Sequence, residues 1–170
     1  GVLVQHGPIL RVVFGPRDPS YISPILSAIQ SDLCESGIDG VLSTHIQRDA
    51  LEKFSYVSPI GASGVYLHAV AGDFQKEGPA RELFKSMIRE ISALAAAMGY
   101  PFEKDYVKIN LEILSNLSAD ATTSMQRDIM EGKPSELDGL VMEPLRLAKK
   151  YSVSMPCYEE VANALCPLEF

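Results

Sequence analysis

The sequence has no Trp, few cysteines and no long hydrophobic run. Its 170 residues include three cysteines, Cys34, Cys157 and Cys166, an odd number without a Cys-x-x-Cys spacing. This pattern predicts neither a disulfide framework nor a zinc knuckle and is typical of a reducing cytoplasm. No stretch of about eighteen consecutive apolar residues occurs, and no charged-then-apolar leader precedes the first strand pattern, so we expect neither a membrane span nor a secretory signal.

An excess of basic charge is also lacking. Fifteen basic side chains stand against 22 acidic ones, which gives a formal net charge of −7. Nucleic-acid-binding proteins need a basic surface, so nucleic acid is not an expected partner. The sequence has no GxGxxG, P-loop, HExxH or GxSxG motif, and its three histidines lie far apart. It therefore predicts no metal site and no complete cofactor site.

The first third of the chain has alternating strand and helix patterns. Two short strands, over 2–6 and 9–14, flank Gly7-Pro8 and predict a β-hairpin. Apolar residues at helical spacing over 22–33 predict a helix that ends near Gly37, and a β-like run follows over 41–46. We place a compositional boundary between Ile46 and Gln47.

Beyond this boundary the period is mainly helical. Helices are predicted over 79–98, 103–117 and 123–130 and from Pro156 onward. A further helix begins at Ser135, with Asp138 as its capping-box partner. Pro144 should kink that helix, because it removes one backbone donor and crowds the carbonyl of Leu140. The sequence therefore predicts a mainly α fold with a core of ordinary size.

Lys53 is the first residue with a pattern that suggests chemistry. Its helical neighbours at i−3, i+3 and i+4 are Ala50, Tyr56 and Val57, which place the ammonium beside an apolar face. Desolvation in such a place favours proton donation near neutral pH and suits a general acid. Alternatively, the lysine stem lies along the edge of the core and its head pairs with Asp49 at i−4.

A second candidate region places hydroxyls and carboxylates at two successive helix starts, over 123–128 and 132–138. Helix N-termini present unpaired backbone donors and can hold a substrate carboxylate. The alternative is plain capping, by Thr123 or Ser124 for one helix and by Ser135 for the next, with Glu136 as a first-turn acid. Capping does not explain why two polar clusters flank a Gly-Lys-Pro turn.

At these residues the chain resembles the ketopantoate reductase family. The segment TTSMQRDIMEGKPSELDGL is similar to a family motif that reads S-S-M-x-x-D, a short basic turn, then T/S-E-I/L-D. Leu51-Glu52-Lys53-Phe54 resembles the family's Trp-x-Lys-Leu pattern, and Ala71-Gly72-Asp73-Phe74 resembles an Asn-Gly-Glu-Leu element. The three segments occur in the family's order and near its spacing, and the resemblance covers essentially the whole chain.

The resemblance implies a fold in two parts. Residues 1–46 would be the trailing, hairpin-helix-strand part of a Rossmann domain that binds NADPH. Residues 47–170 would be a helical substrate and dimerisation domain of the ketopantoate reductase and 6-phosphogluconate dehydrogenase C-terminal type. The substrate would lie in the cleft between the two domains. NADPH would be held mainly by a nucleotide domain that these residues do not complete, so the 170 residues alone are expected to be inactive.

The resemblance also implies roles for three residues. Lys53 matches the lysine that protonates the carbonyl oxygen as hydride reaches its carbon. Ser124 matches a serine that holds the substrate carboxylate, and Glu136 matches a glutamate near the nicotinamide, where it would contact substrate and cofactor. The expected activity is that of a cytoplasmic, NADP-dependent reductase of a small 2-oxo acid, similar to 2-dehydropantoate 2-reductase of pantothenate biosynthesis.

Three positions depart from the family pattern. Val57 and Gly61 stand where the family has substrate-site asparagines, and Ala71 replaces a third asparagine. Losing polar contacts weakens discrimination for a hydroxylated acid, so another 2-oxo acid, or a loss of activity, is implied. The alternative function is a non-catalytic helical binding or oligomerisation module derived from the family. Unpaired edges of the partial sheet would then favour a homodimer.

Overall fold

The computed structural model describes residues 10–21 and 23–165. The first predicted strand, over 2–6, and the Gly7-Pro8 turn lie outside the described residues. The chain forms two compact units, Gly1–Ala50 and Leu51–Phe170. The predicted boundary after Ile46 lies one helical turn before the observed division after Ala50. The assignment of the first part to a nucleotide-binding domain stays a prediction.

The first unit contains two parallel strands joined by a helix. Strand β1 (Arg11–Phe14) pairs with β2 (Asp39–Leu42), and helix α1 (Pro24–Glu35) connects them. The predicted strand over 41–46 is wrong at its end, because β2 stops at Leu42 and Ile46 already begins a helix. The Ser43 hydroxyl accepts a hydrogen bond from the backbone N–H of His45 at 2.9 Å, which turns the chain out of the sheet.

The second unit is helical throughout the part of the chain that the structure describes. Its elements are α2 (Ile46–Leu67, whose first residues belong to the first unit), α3 (Ala71–Gln75), α4 (Pro79–Ala97), α5 (Tyr106–Ser115), α6 (Ser124–Met130), a π-helical turn (Asp138–Met142), α7 (Glu143–Tyr151) and α8 (Pro156–Leu165). The predicted mainly α fold is confirmed. The short helix α3 has no counterpart among the predicted helices.

Helix α4 forms the centre of this unit. Its apolar residues recur at helical spacing, as the sequence predicts, and six of them are at most 2% exposed: Phe84, Met87, Ile88, Ile91, Leu94 and Ala95. One hydrophobic cluster joins this stripe to α8 and the π-helical turn, and a second joins it to α3 and α5. Burial of this stripe removes apolar surface from water and stabilises the second unit.

Local side-chain pairing differs from the prediction at two helix starts. Helix α5 begins at Tyr106 rather than near 103, because the Asp105 carboxylate caps it by accepting the N–H of Lys108 at 3.1 Å. The predicted capping box of Ser135 with Asp138 is wrong. The Asp138 carboxylate instead accepts two hydrogen bonds from Arg146, at 2.9 and 2.7 Å. A bidentate guanidinium is a stronger partner for a carboxylate than one backbone N–H.

The irregularity expected at Pro144 is present, in the form of the π-helical turn. This turn ends at Met142, and Pro144 lies in the first turn of α7, where a missing N–H is tolerated. The π-helical turn lies two residues after Glu136.

Candidate functional site

Lys53 lies on α2 with its side chain exposed. Asp49 does not pair with it, and no other described side chain forms an ion pair or hydrogen bond with its ammonium. The apolar neighbours on α2 do not cover this side chain, because it is exposed. The ammonium is available to a ligand.

Ser124 is the first residue of α6, and it does not cap that helix. Thr123 is the N-cap: its hydroxyl accepts the N–H of Gln126 at 3.2 Å, and the Gln126 side-chain oxygen accepts the N–H of Thr123 at 2.9 Å. This capping box leaves the Ser124 hydroxyl exposed and without a partner among the described side chains. Capping therefore explains Thr123 and leaves Ser124 free to bind a carboxylate.

Glu136 is exposed and lies immediately before the buried Leu137, which is 3% exposed. Its carboxylate forms no ion pair with any described side chain. Its backbone carbonyl accepts the N–H of Leu140 at 2.9 Å. The first turn after Glu136 is therefore held by the backbone, while the carboxylate points to no protein partner.

The segments that carry these three residues meet at Gly61 of α2. A Cβ placed on Gly61 would lie 3.1 Å from the Met125 methyl and 3.9 Å from the Thr123 hydroxyl, the two residues that flank Ser124. It would also lie 3.8 Å from a methyl of Leu140, in the turn that follows Glu136. Gly61 lies eight residues after Lys53 on α2, a rise of about 12 Å. The fold thus packs the segments of Ser124 and Glu136 against the same helix that carries Lys53.

A second glycine of α2 allows a close approach by α6. A Cβ on Gly64 would lie 2.8 Å from the amide carbon of Gln126, a distance that no side chain permits. Gln126 is 8% exposed, and its amide nitrogen donates to the carbonyl of Ala69 at 2.8 Å. Sequence reasoning missed this residue, although the Thr-x-x-Gln spacing of a capping box could have indicated it.

Ala71 and Gly72 support the loop that leads to Ser124. The N–H of Ala71 donates to the carbonyl of Ala121 at 2.9 Å, and the N–H of Gly72 donates to that of Ala119 at 2.8 Å. Ala71 is 4% exposed and belongs to the hydrophobic core. Its methyl group therefore packs against the protein, and position 71 offers no side chain to a ligand.

Pro59 is a further residue that the sequence reasoning missed. It lies inside α2, between Lys53 and Gly61, and it cannot donate the helical hydrogen bond to the carbonyl of Ser55. The buried amide of Asn110 donates to that carbonyl instead, at 3.1 Å. The helix that carries Lys53 is therefore held to α5 where its own hydrogen bonding is interrupted.

A mostly apolar pocket of about 640 Å³ lies at the other end of α2. It is lined by residues of α2, α6 and α8, among them Val65, Ile129 and Leu165, and by loop residues such as His68. Lys53, Ser124 and Glu136 do not line it. Among the described residues no group of three His, Cys, Asp or Glu side chains could hold a metal ion, and no described helix is long and apolar enough to cross a membrane.

Comparisons with known proteins give consistent matches. A family model described as ketopantoate reductase PanE/ApbA C terminal matches residues 45–169. No curated protein matches the chain. The structure is similar to that of 2-dehydropantoate 2-reductase from Methylococcus capsulatus, with a TM-score of 0.82 and 24% identity over 96% of this chain. The chain spans 56% of that protein's length.

Two further solved structures share the fold at lower identity. One is D-mandelate dehydrogenase with NADH and anilino(oxo)acetate, with a TM-score of 0.81 and 16% identity over 99% of this chain and 70% of that one. The other is a dimeric ketopantoate reductase from Staphylococcus aureus, with a TM-score of 0.77 and 19% identity over 87% of this chain and 51% of that one. The family match and these structures agree on a helical C-terminal domain.

Proposed function

Because the chain belongs to the ketopantoate reductase PanE/ApbA C-terminal family, we propose that it is the substrate-binding part of an NADP-dependent reductase of 2-oxo acids. The observation that supports this most directly is the convergence at Gly61 of the segments bearing Lys53, Ser124 and Glu136. All three side chains are exposed and lack partners among the described residues. A free ammonium, hydroxyl and carboxylate, carried by segments that pack together, suit a small anionic substrate with a reducible carbonyl.

Each residue has a distinct role in this proposal. When bound, NADPH supplies the hydride that adds to the carbonyl carbon of the substrate. The Lys53 ammonium donates a proton to the carbonyl oxygen, so that the 2-oxo acid becomes a 2-hydroxy acid and the lysine becomes neutral. The Ser124 hydroxyl, at the N-terminus of α6, donates to the substrate carboxylate. Glu136 contacts the substrate and accepts hydrogen bonds from hydroxyl groups of the cofactor.

The first unit supports an adjoining nucleotide-binding domain. Two parallel strands with a helical crossover form the repeating unit of such domains, in which both sheet faces are covered. Here Val12 and Val13 of β1 are 40% and 41% exposed, and Ile25 of α1 is 67% exposed. We expect further strands and helices to cover this apolar surface and to hold the cofactor phosphates. Glu136 is the residue of this chain that we expect to contact the cofactor.

The substrate side chain meets an apolar stretch of α2. Val57 and Gly61 follow Lys53 at i+4 and i+8, and the methyl groups of Met125 and Leu140 close over Gly61. None of these groups can hydrogen-bond a hydroxyl of the substrate. We therefore expect a 2-oxo acid other than ketopantoate to be the better substrate.

The test is a substrate panel with NADPH and the full-length protein that carries this chain. Ketopantoate and 3,3-dimethyl-2-oxobutanoate form a matched pair, since they differ by one hydroxyl group. We expect kcat/KM to favour the acid without the hydroxyl by roughly fivefold to a hundredfold, the range for one unmatched polar group. If no 2-oxo acid is reduced, with NADPH or with NADH, the reductase proposal is wrong.

The second candidate function is a helical binding or oligomerisation module without catalysis. The exposed Val12 and Val13 on β1 favour it, because uncovered strands pair with other chains. A dimer is consistent with the dimeric Staphylococcus aureus relative. Light scattering on the full-length protein, together with the substrate panel, separates a dimeric enzyme from a dimeric protein that reduces no 2-oxo acid.

A further inference from the structure

Two prolines of the second unit lie four residues after a carbonyl that a buried side chain from another helix holds. Pro59 has no N–H to donate to the Ser55 carbonyl, and Pro144 has none to donate to the Leu140 carbonyl. The Ser55 carbonyl accepts a hydrogen bond from the Asn110 amide instead. Ser58 of α2 donates to the Leu140 carbonyl at 2.6 Å.

The bond from Ser58 to Leu140 is one link of a buried chain of hydroxyl groups. The Ser58 and Tyr158 oxygens lie 2.5 Å apart, and both residues are 0% exposed. Because Ser58 has one hydroxyl proton and gives it to Leu140, the phenol of Tyr158 donates to Ser58. Burial raises the pKa of the Tyr158 phenol well above its ordinary value, so the phenol stays protonated and remains a donor.

This chain of hydrogen bonds joins the two halves of the proposed site. At one end, the N–H of Leu140 donates to the Glu136 carbonyl at 2.9 Å, so that fixing Leu140 fixes the turn that presents Glu136. At the other end, Ser58 lies five residues after Lys53 on α2. A π-helical turn departs from the regular hydrogen bonding of an α-helix, and here the Leu140 carbonyl within it also accepts a bond from another helix.

We propose that Ser58 and Tyr158 are positioning residues, which hold the Leu140 carbonyl of the π-helical turn and thereby keep Glu136 in register with Lys53. The inference rests on the proposed reductase function, because it concerns the placement of two residues of that site. Neither Ser58 nor Tyr158 touches the substrate, since both are buried.

The test compares two serine variants of the full-length protein. Ser58→Ala removes the donor to Leu140. Ser63→Ala is the matched control, because Ser63 is equally buried on α2 but its hydroxyl bonds only to the Pro59 carbonyl of the same helix. We expect Ser58→Ala to raise KM for NADPH and for the 2-oxo acid roughly threefold to tenfold, the range for one lost hydrogen bond. Ser63→Ala should leave both KM values unchanged.

Hydrogen exchange supplies a readout that is independent of activity. Amide exchange over 136–142 should quicken in Ser58→Ala and stay unchanged in Ser63→Ala. If Ser58→Ala fails to fold, Tyr158→Phe takes its place, with a smaller effect in the same direction, because Ser58 keeps its bond to Leu140.

The outcomes separate this inference from the proposed function. If the wild-type protein reduces no 2-oxo acid, the reductase proposal is wrong. Hydrogen exchange then still decides whether the bonds from Tyr158 and Ser58 hold the turn that carries Glu136. Unchanged amide exchange over 136–142 in Ser58→Ala overturns the inference, and so does faster exchange in an active enzyme whose KM values do not change.

The effect of Ser58→Ala on KM should also vanish when Glu136→Gln is already present, because Ser58 and Glu136 act through one contact. Additive effects would mean that Ser58 does not act through Glu136.

Discussion

Lys53, the proposed general acid, is available to a ligand. Its ammonium is exposed, and the described part of the chain offers it no carboxylate. The sequence identified this residue through a family resemblance, and the structure adds that the alternative, a pair with Asp49, is not formed. At the start of α6 the capping alternative is confirmed for Thr123, which is the N-cap, and the Ser124 hydroxyl has no partner among the described side chains.

Replacing Lys53 gives the most direct test of a single residue. Lys53→Ala should lower kcat of the full-length enzyme by roughly 10²- to 10⁴-fold, the contribution of a positioned proton donor. Lys53→Arg keeps the positive charge but cannot release a proton near neutral pH, so it should keep KM near the wild-type value and lose kcat. Lys108→Ala, at an exposed position on α5, is the control. Unchanged turnover in Lys53→Ala would exclude this lysine from the mechanism.

At the scale of elements, helices are held together where their own hydrogen bonding ends. The clearest case besides Ser58 is the start of α8, whose first N–H groups have no partner in their own helix. The Glu90 carboxylate of α4 accepts the N–H of Cys157 at 2.8 Å and the N–H of Tyr158 at 3.1 Å. A side chain 67 residues away in sequence therefore caps this helix.

This cap predicts a loss of stability on substitution. Glu90→Ala should lower the free energy of unfolding by about 1 to 2 kcal/mol, because two N–H groups lose a charged acceptor at the positive end of a helix. Thermal or urea denaturation measures the change, and Glu159→Ala, an exposed first-turn acid of the same helix, is the control. If both substitutions lowered the free energy of unfolding equally, negative charge near the start of α8 would matter and the two hydrogen bonds from Cys157 and Tyr158 would not.

At the scale of the whole molecule, the two units differ in how well they bury their apolar residues. The second unit has a continuous core centred on α4, whereas α1 has no buried residue and β1 is largely exposed. The chain also spans only 56% and 51% of the lengths of two structural relatives. The exposed apolar residues of the first unit and this partial length both support the proposal that a nucleotide-binding domain completes that unit.

The whole-molecule proposal predicts the behaviour of the 170 residues in isolation. They should neither bind NADPH in a fluorescence titration nor oxidise it in the presence of ketopantoate, because no GxGxxG turn is present to hold the pyrophosphate at a helix N-terminus. The full-length protein is the positive control. Turnover by the isolated 170 residues would contradict the proposed division of labour between the domains.

The sequence by itself determined the features that depend on near neighbours. Periodic apolar residues predicted α4, a hydroxyl before a periodic run predicted the start of α6, and Pro144 predicted an irregular helix. These signals extend over at most one or two turns, so they can be read along the chain. The predicted capping box at Asp138 is wrong because it considered near neighbours alone. The Asp138 carboxylate binds the guanidinium of Arg146, eight residues away, instead of a backbone N–H at the helix start.

Only the tertiary structure decided which distant groups meet. Ser58 bonds to a carbonyl 82 residues away and to a phenol 100 residues away, and no periodicity encodes such partners. The same holds for the amide of Asn110, which replaces the donor lost at Pro59. A buried carbonyl must find a donor, but which donor it finds depends on how the helices pack. Packing therefore decided how the helix that carries Lys53 and the turn that carries Glu136 are held in place.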